Sequence, residues 1–313
     1  MNRWQYALTR LLQIIPTFFV VMLLVFVMVR LLPGDPASAI LGERATPEAI
    51  ERINRQLGLD QPLPVQFGIF IKNFFQGDLG ASINLKVPVV TLIAQRMPVT
   101  LYLTLYAAVL AALLAVPLAI LAAFTRGTWV DALIRGVFQV GLSVPVFYIG
   151  LQLLTFFGAR LGWFPVGGIG RNFAENAYYL FLPALSLGFY LAAVLMRNLR
   201  ASIIEVFDAE YVEFARSKGL KRRVIVLKHI LRNALISTVT LFGLSIGQLI
   251  GGAVITETVF AIPGVGRLMV DAIFGRDYAV IQGLTLTFAL LVSLVFLLTD
   301  LVYAALDPRT EYA

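Results

Sequence analysis

The residues of this chain that could do chemistry are few and scattered. There is no cysteine and a single histidine, His229, so no disulfide frame, thiolate metal site or cysteine nucleophile is available and metal chemistry is poorly supplied. No acids are paired for general acid–base work. No Gly-x4-Gly-Lys-Ser/Thr loop is present to cradle the phosphates of a nucleotide. No catalytic residue and no metal ligand is assigned, and ATP-derived energy would have to come from another chain.

Two stretches nevertheless carry polar and small residues at telling spacings. The first is Ala209 to Arg232, where two short amphipathic helices meet at Gly219, with Tyr211, Phe214 and Ala215 before it and Val224, Leu227 and Ile230 after it. This predicts a rigid elbow. Its Lys and Arg residues are equally the kind that set topology or touch anionic lipid. The second stretch holds Gly243, Gly247 and Gly251 at four-residue spacing, one smooth helix stripe that lets a neighbouring helix approach closely, either as fixed packing or as a moving interface. Nearby Ser245 and Gln248 suit a polar path or hydrogen bonds between helices.

The elements that position these residues are set by hydropathy. The 313-residue chain is 59% hydrophobic and 14% charged, with mean hydropathy +0.85, whereas about a quarter of the residues of a soluble domain are charged. Lipid is therefore the solvent for most of it. The net charge of +7 fits cationic residues held on the cytoplasmic side of a bilayer better than nucleic-acid binding, which is set aside.

Charge-free apolar stretches run from about Leu11 to Val29, Pro98 to Thr125, Gly136 to Ala159, Ala177 to Met196, Ala234 to Thr256 and Tyr278 to Thr299. Each is near the length needed to cross about 30 Å of hydrocarbon. The expectation is an all-α membrane protein with six spanning helices. The first stretch is too long for a signal h-region and reads as a retained helix. Arg3 and Arg10, Arg126 and Arg135, and a run from Arg197 to Arg232 fall on one side, which predicts cytoplasmic termini.

The first long loop, 30–97, lies on the other side as a structured external subdomain within a single transmembrane domain, 1–313. Thr46-Pro47-Glu48 reads as a helix start, with Ile50, Ile53 and Leu57 as its stripe and Gly58 as its stop. Phe67, Phe70, Ile71, Phe74 and Phe75 form a second amphipathic stretch before Gly77-Asp78. It suits the membrane surface, a cover over a pore entrance or a packed cap. Pro16, Pro117, Pro145 and Pro183 stand within spans and imply kinks that say little about transport.

None of the six stretches contains Asp, Glu, Lys, Arg or His, whereas ion-coupled transport usually needs ionisable groups at depth. Glu257 and Asp300 stand at helix edges, where solvated rim positions are expected. An ion-coupled secondary transporter or channel is the alternative reading, motivated only by the spans.

The elbow resembles the EAA loop of the permeases of binding-protein-dependent ATP-binding-cassette importers. Glu213, Ala215 and Gly219 fit that pattern, while Phe214, His229 and Arg232 depart from it. Leu231-Arg232-Asn233-Ala234-Leu235 is similar to the version in the dipeptide, oligopeptide and nickel group. So are Leu32-Pro33-Gly34-Asp35-Pro36, Gly58-Leu59-Asp60-Gln61-Pro62, Gly77-Asp78-Leu79-Gly80, Pro263-Gly264-Val265-Gly266-Arg267 and Asp307-Pro308-Arg309, in that order along nearly the whole chain.

The resemblance implies a translocation path for peptides or similar small solutes, formed with a second homologous permease and fed by an external solute-binding protein. It implies two ATPase subunits carrying ATP and magnesium, and no cofactor on this chain. It implies an inner-membrane location. It also makes 197–233 a coupling loop that docks on an ATPase, with Glu213, Ala215, Lys218 and Gly219 as the candidate contacts. Glycine suits a turn that strains other residues, and a small alanine permits close approach.

Overall fold

A computed structural model describes residues 3–31, 46–48, 51 and 60–306. The motif at Leu32 to Pro36, the stripe Ile50, Ile53 and Leu57, the pair Gly58-Leu59 and the ending Asp307 to Arg309 lie outside the described residues. Pro47, Glu48 and Glu51 are helical. Among the described residues the chain is all-helical, apart from an isolated bridge between Ala81 and Pro88.

The helices are α1 (Arg3–Leu31), α2 (Leu63–Phe75), α3 (Val89–Phe124), α4 (Trp129–Ser143), α5 (Val146–Leu153, running on as a π-turn over Leu154–Arg160) and α6 (Phe173–Tyr179). They continue as α7 (Phe181–Phe207), α8 (Glu210–Ser217), α9 (Arg222–Val259, with a π-turn over Ile225–Leu231), α10 (Val265–Phe274) and α11 (Tyr278–Leu306). In α3, α7, α9 and α11 four helices are long and apolar enough to cross a bilayer, and the bent pair α4 and α5 makes a fifth if it acts as one span. Leu12–Met28 of α1 is a shorter apolar helix. Helices are the natural solution here, because they satisfy every backbone polar group internally where no water is available.

The third apolar stretch is not the single rod that its hydropathy implies. It breaks between α4 and α5 with a bend of 108°. The cause is local. Pro145 has no N–H to continue the ladder, and its ring pushes the preceding residue out of the helical region. Val144 is accordingly extended (φ −100°, ψ 132°), and Pro145 starts the next helix.

The chain folds into two compact units, one of residues 1–10, 99–267 and 294–313, the other of 11–98 and 268–293. In the first, α7 is the hub, with Leu187, Leu191, Leu195, Leu199 and Ile203 all buried. Ala107, Ala111, Ala115 and Ala119 form a buried small-residue stripe on α3. A Cβ on Gly188 of α7 would strike the Ala107 carbonyl, so the two backbones nearly touch.

In the second unit the phenylalanine stripe of α2 lies along α1. Phe74 meets Phe18 with ring centroids 5.2 Å apart, and Phe67 meets Phe26 at 5.1 Å. Phe67, Phe70, Ile71 and Phe74 thus form a packed seam with Met22 and Val25, while Phe75 is exposed. The same unit buries Asp277, which accepts from the Ser82 hydroxyl and the Asn84 backbone N–H and so ties the 82–84 turn to the start of α11.

Candidate functional site

The elbow is built by a helix stop that only one residue of the local sequence can make cheaply. Gly219 takes φ +72°. Its N–H donates to the Arg216 carbonyl at 2.9 Å and the Leu220 N–H reaches back to Ala215 at 3.4 Å. This pair of bonds is a Schellman motif, in which a left-handed residue satisfies the last carbonyls of a helix. An added Cβ at Gly219 would meet nothing, so the constraint there is conformational.

The two faces of α8 are assigned one residue away from the sequence reading. Val212 and Ala215 face the core, at 0% and 5% exposure, in one cluster with Ile225 and Ile230. Tyr211 and Phe214 point out instead, Phe214 at 62% exposure. Of the four candidate contacts, Glu213, Lys218 and Gly219 are exposed and Ala215 is buried against its own chain. Lys218 Nζ stands 4.5 Å over the Phe214 ring. Phe214, exposed beside them, is one of the three positions that depart from the EAA pattern. A large ring presented to solvent on a surface helix is the signal that identifies it.

The second arm is not a separate short helix. Arg222 to Val259 runs as one helix with a π-turn, so the elbow feeds directly into α9. Likewise α7 continues to Phe207, which puts Arg197 and Arg200 on a helix and not in a loop. A hollow of about 350 Å³ opens between the arms, lined by Phe207, Arg216, Leu220, Arg222, Ile225 and Ile230.

Beneath the elbow lies a buried acid to which no sequence motif points. Asp131, 1% exposed in the first turn of α4, accepts from Arg200 Nε and Nη2 at 2.8 Å each, from Arg135 Nε at 3.2 Å and from the Gly127 N–H at 3.2 Å. Arg135 was legible as an i, i+4 partner. Arg200, 69 positions away, was not.

In mid-span, Ser245 and Gln248 come together on a hollow of about 170 Å³ that Val146, Tyr190, Leu191 and Gly252 also line. The Ser245 hydroxyl donates to its own helix, at the Leu241 carbonyl, while Gln248 is exposed. The glycine stripe does not act as one surface. A Cβ on Gly243 would collide with Thr299 of α11, Gly247 is buried, and Gly251 has open space beside it.

Glu257 is not a solvated rim residue. It is fully buried, accepts from the Thr100 hydroxyl and from the Arg267 N–H at 2.9 Å, and leaves no room for a side chain at Gly264 or Gly266. A buried carboxylate must be hydrogen-bonded, and the donors come from the start of α10 and from α3. The glycines of Pro263 to Arg267 are explained by this close approach. Asp300 is half-buried. Among the described residues no group of His, Cys, Asp and Glu could hold a metal ion.

An all-helical chain with several membrane-length helices defines a class, that of multi-pass membrane proteins. The chain belongs to the family described as binding-protein-dependent transport system inner membrane component, matched over residues 115–312, with the matching N-terminal region over 3–104. It is 44% identical, over 98% of its length and 99% of theirs, to the glutathione transport system permease protein GsiC of Escherichia coli strain K12 and to that of Pectobacterium atrosepticum.

Its fold is similar to that of the MetNI methionine ABC transporter in an inward-facing conformation, at TM-score 0.58 and 19% identity over 69% of this chain and 96% of that one. An amino acid ABC transporter aligns at TM-score 0.50 and 18% identity, over 66% and 93%. The chain is a permease subunit of an ATP-binding-cassette importer in the peptide and nickel group, a multi-pass inner-membrane protein and not itself an enzyme.

Proposed function

We propose that the chain is a single permease domain that forms, with a second homologous permease, the path for small peptides delivered by an external binding protein. It crosses the membrane six times with both termini in the cytoplasm, α1 and the bent pair α4–α5 each counting as one span. Two ATPase subunits, carrying ATP and magnesium, drive it. Glutathione, a tripeptide, is the first cargo to test, because that is what the named relatives transport. Other di- and oligopeptides follow.

The elbow is the ATPase contact, and its exposed face carries the reading. Phe214, Glu213, Lys218 and the Gly219 turn stand out from a buried base of Val212 and Ala215. An exposed aromatic on a helix that is anchored behind is a typical interface anchor. Ser245 and Gln248 border the path, since an exposed amide in mid-span is costly against lipid and suits a wet cavity.

Two measurements test this. Cysteines introduced at Glu213 or Lys218, in a chain with none of its own, should crosslink to an ATPase subunit, and the isolated chain should hydrolyse no ATP. Proteoliposomes holding the full complex should take up labelled glutathione only with ATP inside and binding protein outside. Uptake driven by an ion gradient without the ATPases would overturn the reading.

A further inference from the structure

Asp131 is bonded more fully than a helix start requires. Thr128 stands at the N-cap of α4, yet Asp131 gathers a two-pronged guanidinium, a second arginine and a backbone N–H. A carboxylate gripped by an arginine fork is fixed in orientation as well as position. The fork comes from α7 about two turns before that helix ends at Phe207 and the elbow begins.

Two further contacts bind the same α3–α4 turn to the elbow stem. Arg126 reaches Asp208 at 3.4 Å and Phe124 meets Phe207 edge-on. The outer ion pair is exposed and weak. The inner one, with side chains 18% and 1% exposed, is the firm one.

As a stability device a buried ion pair is inefficient, since desolvation offsets most of the attraction. As a mechanical link it is well suited. The carboxylate lies between α7 and α4, so α4 cannot slide along α7 without parting the fork. At its far end α4 meets the Val144–Pro145 break, and just beyond it Val146 lines the hollow with Ser245 and Gln248. A continuous set of contacts thus runs from the elbow along α7, across Asp131, along α4 and to the break.

We propose that the Arg200–Asp131 pair is the strut that carries movement of the elbow to the α4–α5 break, so that both are positioning residues for the transport step. The proposal rests on the reading of the elbow as the ATPase contact.

The test uses the complete importer with spin labels on this otherwise cysteine-free chain. One label at Ser217→Cys reports on the elbow. A pair at Gln139→Cys and Arg160→Cys, both exposed, measures distance across the break. With the native pair, trapping with ATP, magnesium and vanadate should change both signals. With Arg200→Met the Ser217 signal should still respond while the distance shift across the break is lost, and Arg200→Lys should recover part of it.

Should Arg200→Met fail to assemble, the apolar double variant Asp131→Leu with Arg200→Met fills the site and must give the same split. An unchanged distance shift in either variant overturns the strut, as does a break that never responds in the native background. A Ser217 label that never responds removes the elbow reading and the strut with it.

Discussion

Two of the sharp turns among the described residues, at Gly219 and at Val144–Pro145, are made by opposite means. At Gly219 the backbone enters the left-handed region and closes its own hydrogen bonds, so the elbow is defined locally and its outer face is left free. At Val144–Pro145 the ladder is interrupted, and nothing local replaces the lost bond. That break is held from outside. Gly150 of α5 packs so close to Phe260 that a Cβ would stand 3.1 Å from the ring, and one on Gly141 of α4 would stand 2.9 Å from Phe189. A locally determined turn is a rigid piece that can be pushed, whereas a turn held by packing can change when its neighbours move.

The contrast can be broken from either side. The largest effect is expected from Phe214→Ala. Losing an interface anchor should weaken ATPase binding by about 2 kcal/mol, roughly thirtyfold, with little change in the thermal unfolding of the chain; pull-down of the ATPase and a melting curve check the two halves. Gly219→Val forces a branched residue into the left-handed region at a cost of about 1–2 kcal/mol, and should lower coupled ATP hydrolysis five- to thirtyfold, while Gly219→Asn keeps most of it.

Gly150→Ala should cost about 1 kcal/mol through overpacking against Phe260, read as a lower unfolding temperature and a shifted distance across the break. Pro145→Ala should change stability least, by about 0.5 kcal/mol. If the bend persists in that variant, by distance measurement between labelled α4 and α5, packing alone sets it; if α4 and α5 straighten, the proline does.

Much of the spanning framework was legible, because a helix in lipid announces itself by the absence of charge. The elbow was legible too, from Gly219 between two amphipathic runs. The face of α8 was not, since Tyr211, Phe214 and Val212 are all apolar enough to pack, and which of them turns inward depends on Ile225 and Ile230 in the next helix. The prolines were equally ambiguous. Pro16 and Pro117 lie inside continuous helices, while Pro145 starts a new one. Glu257 reads as a rim residue because its position at a helix edge gives no hint that α3 and the start of α10 close over it.

By itself the sequence determined the solvent, the presence of several membrane-length helices and the lack of a nucleotide loop on this chain, because these follow from hydropathy, from spacing and from motifs that have to be contiguous. The tertiary structure alone decided which small residues touch backbone, which acids are buried and how the elbow's stem is tied to the bent span. Those outcomes depend on partners far apart in the chain, Asp131 with Arg200 and Thr100 with Glu257, and no local pattern encodes a contact that only folding brings within hydrogen-bond reach.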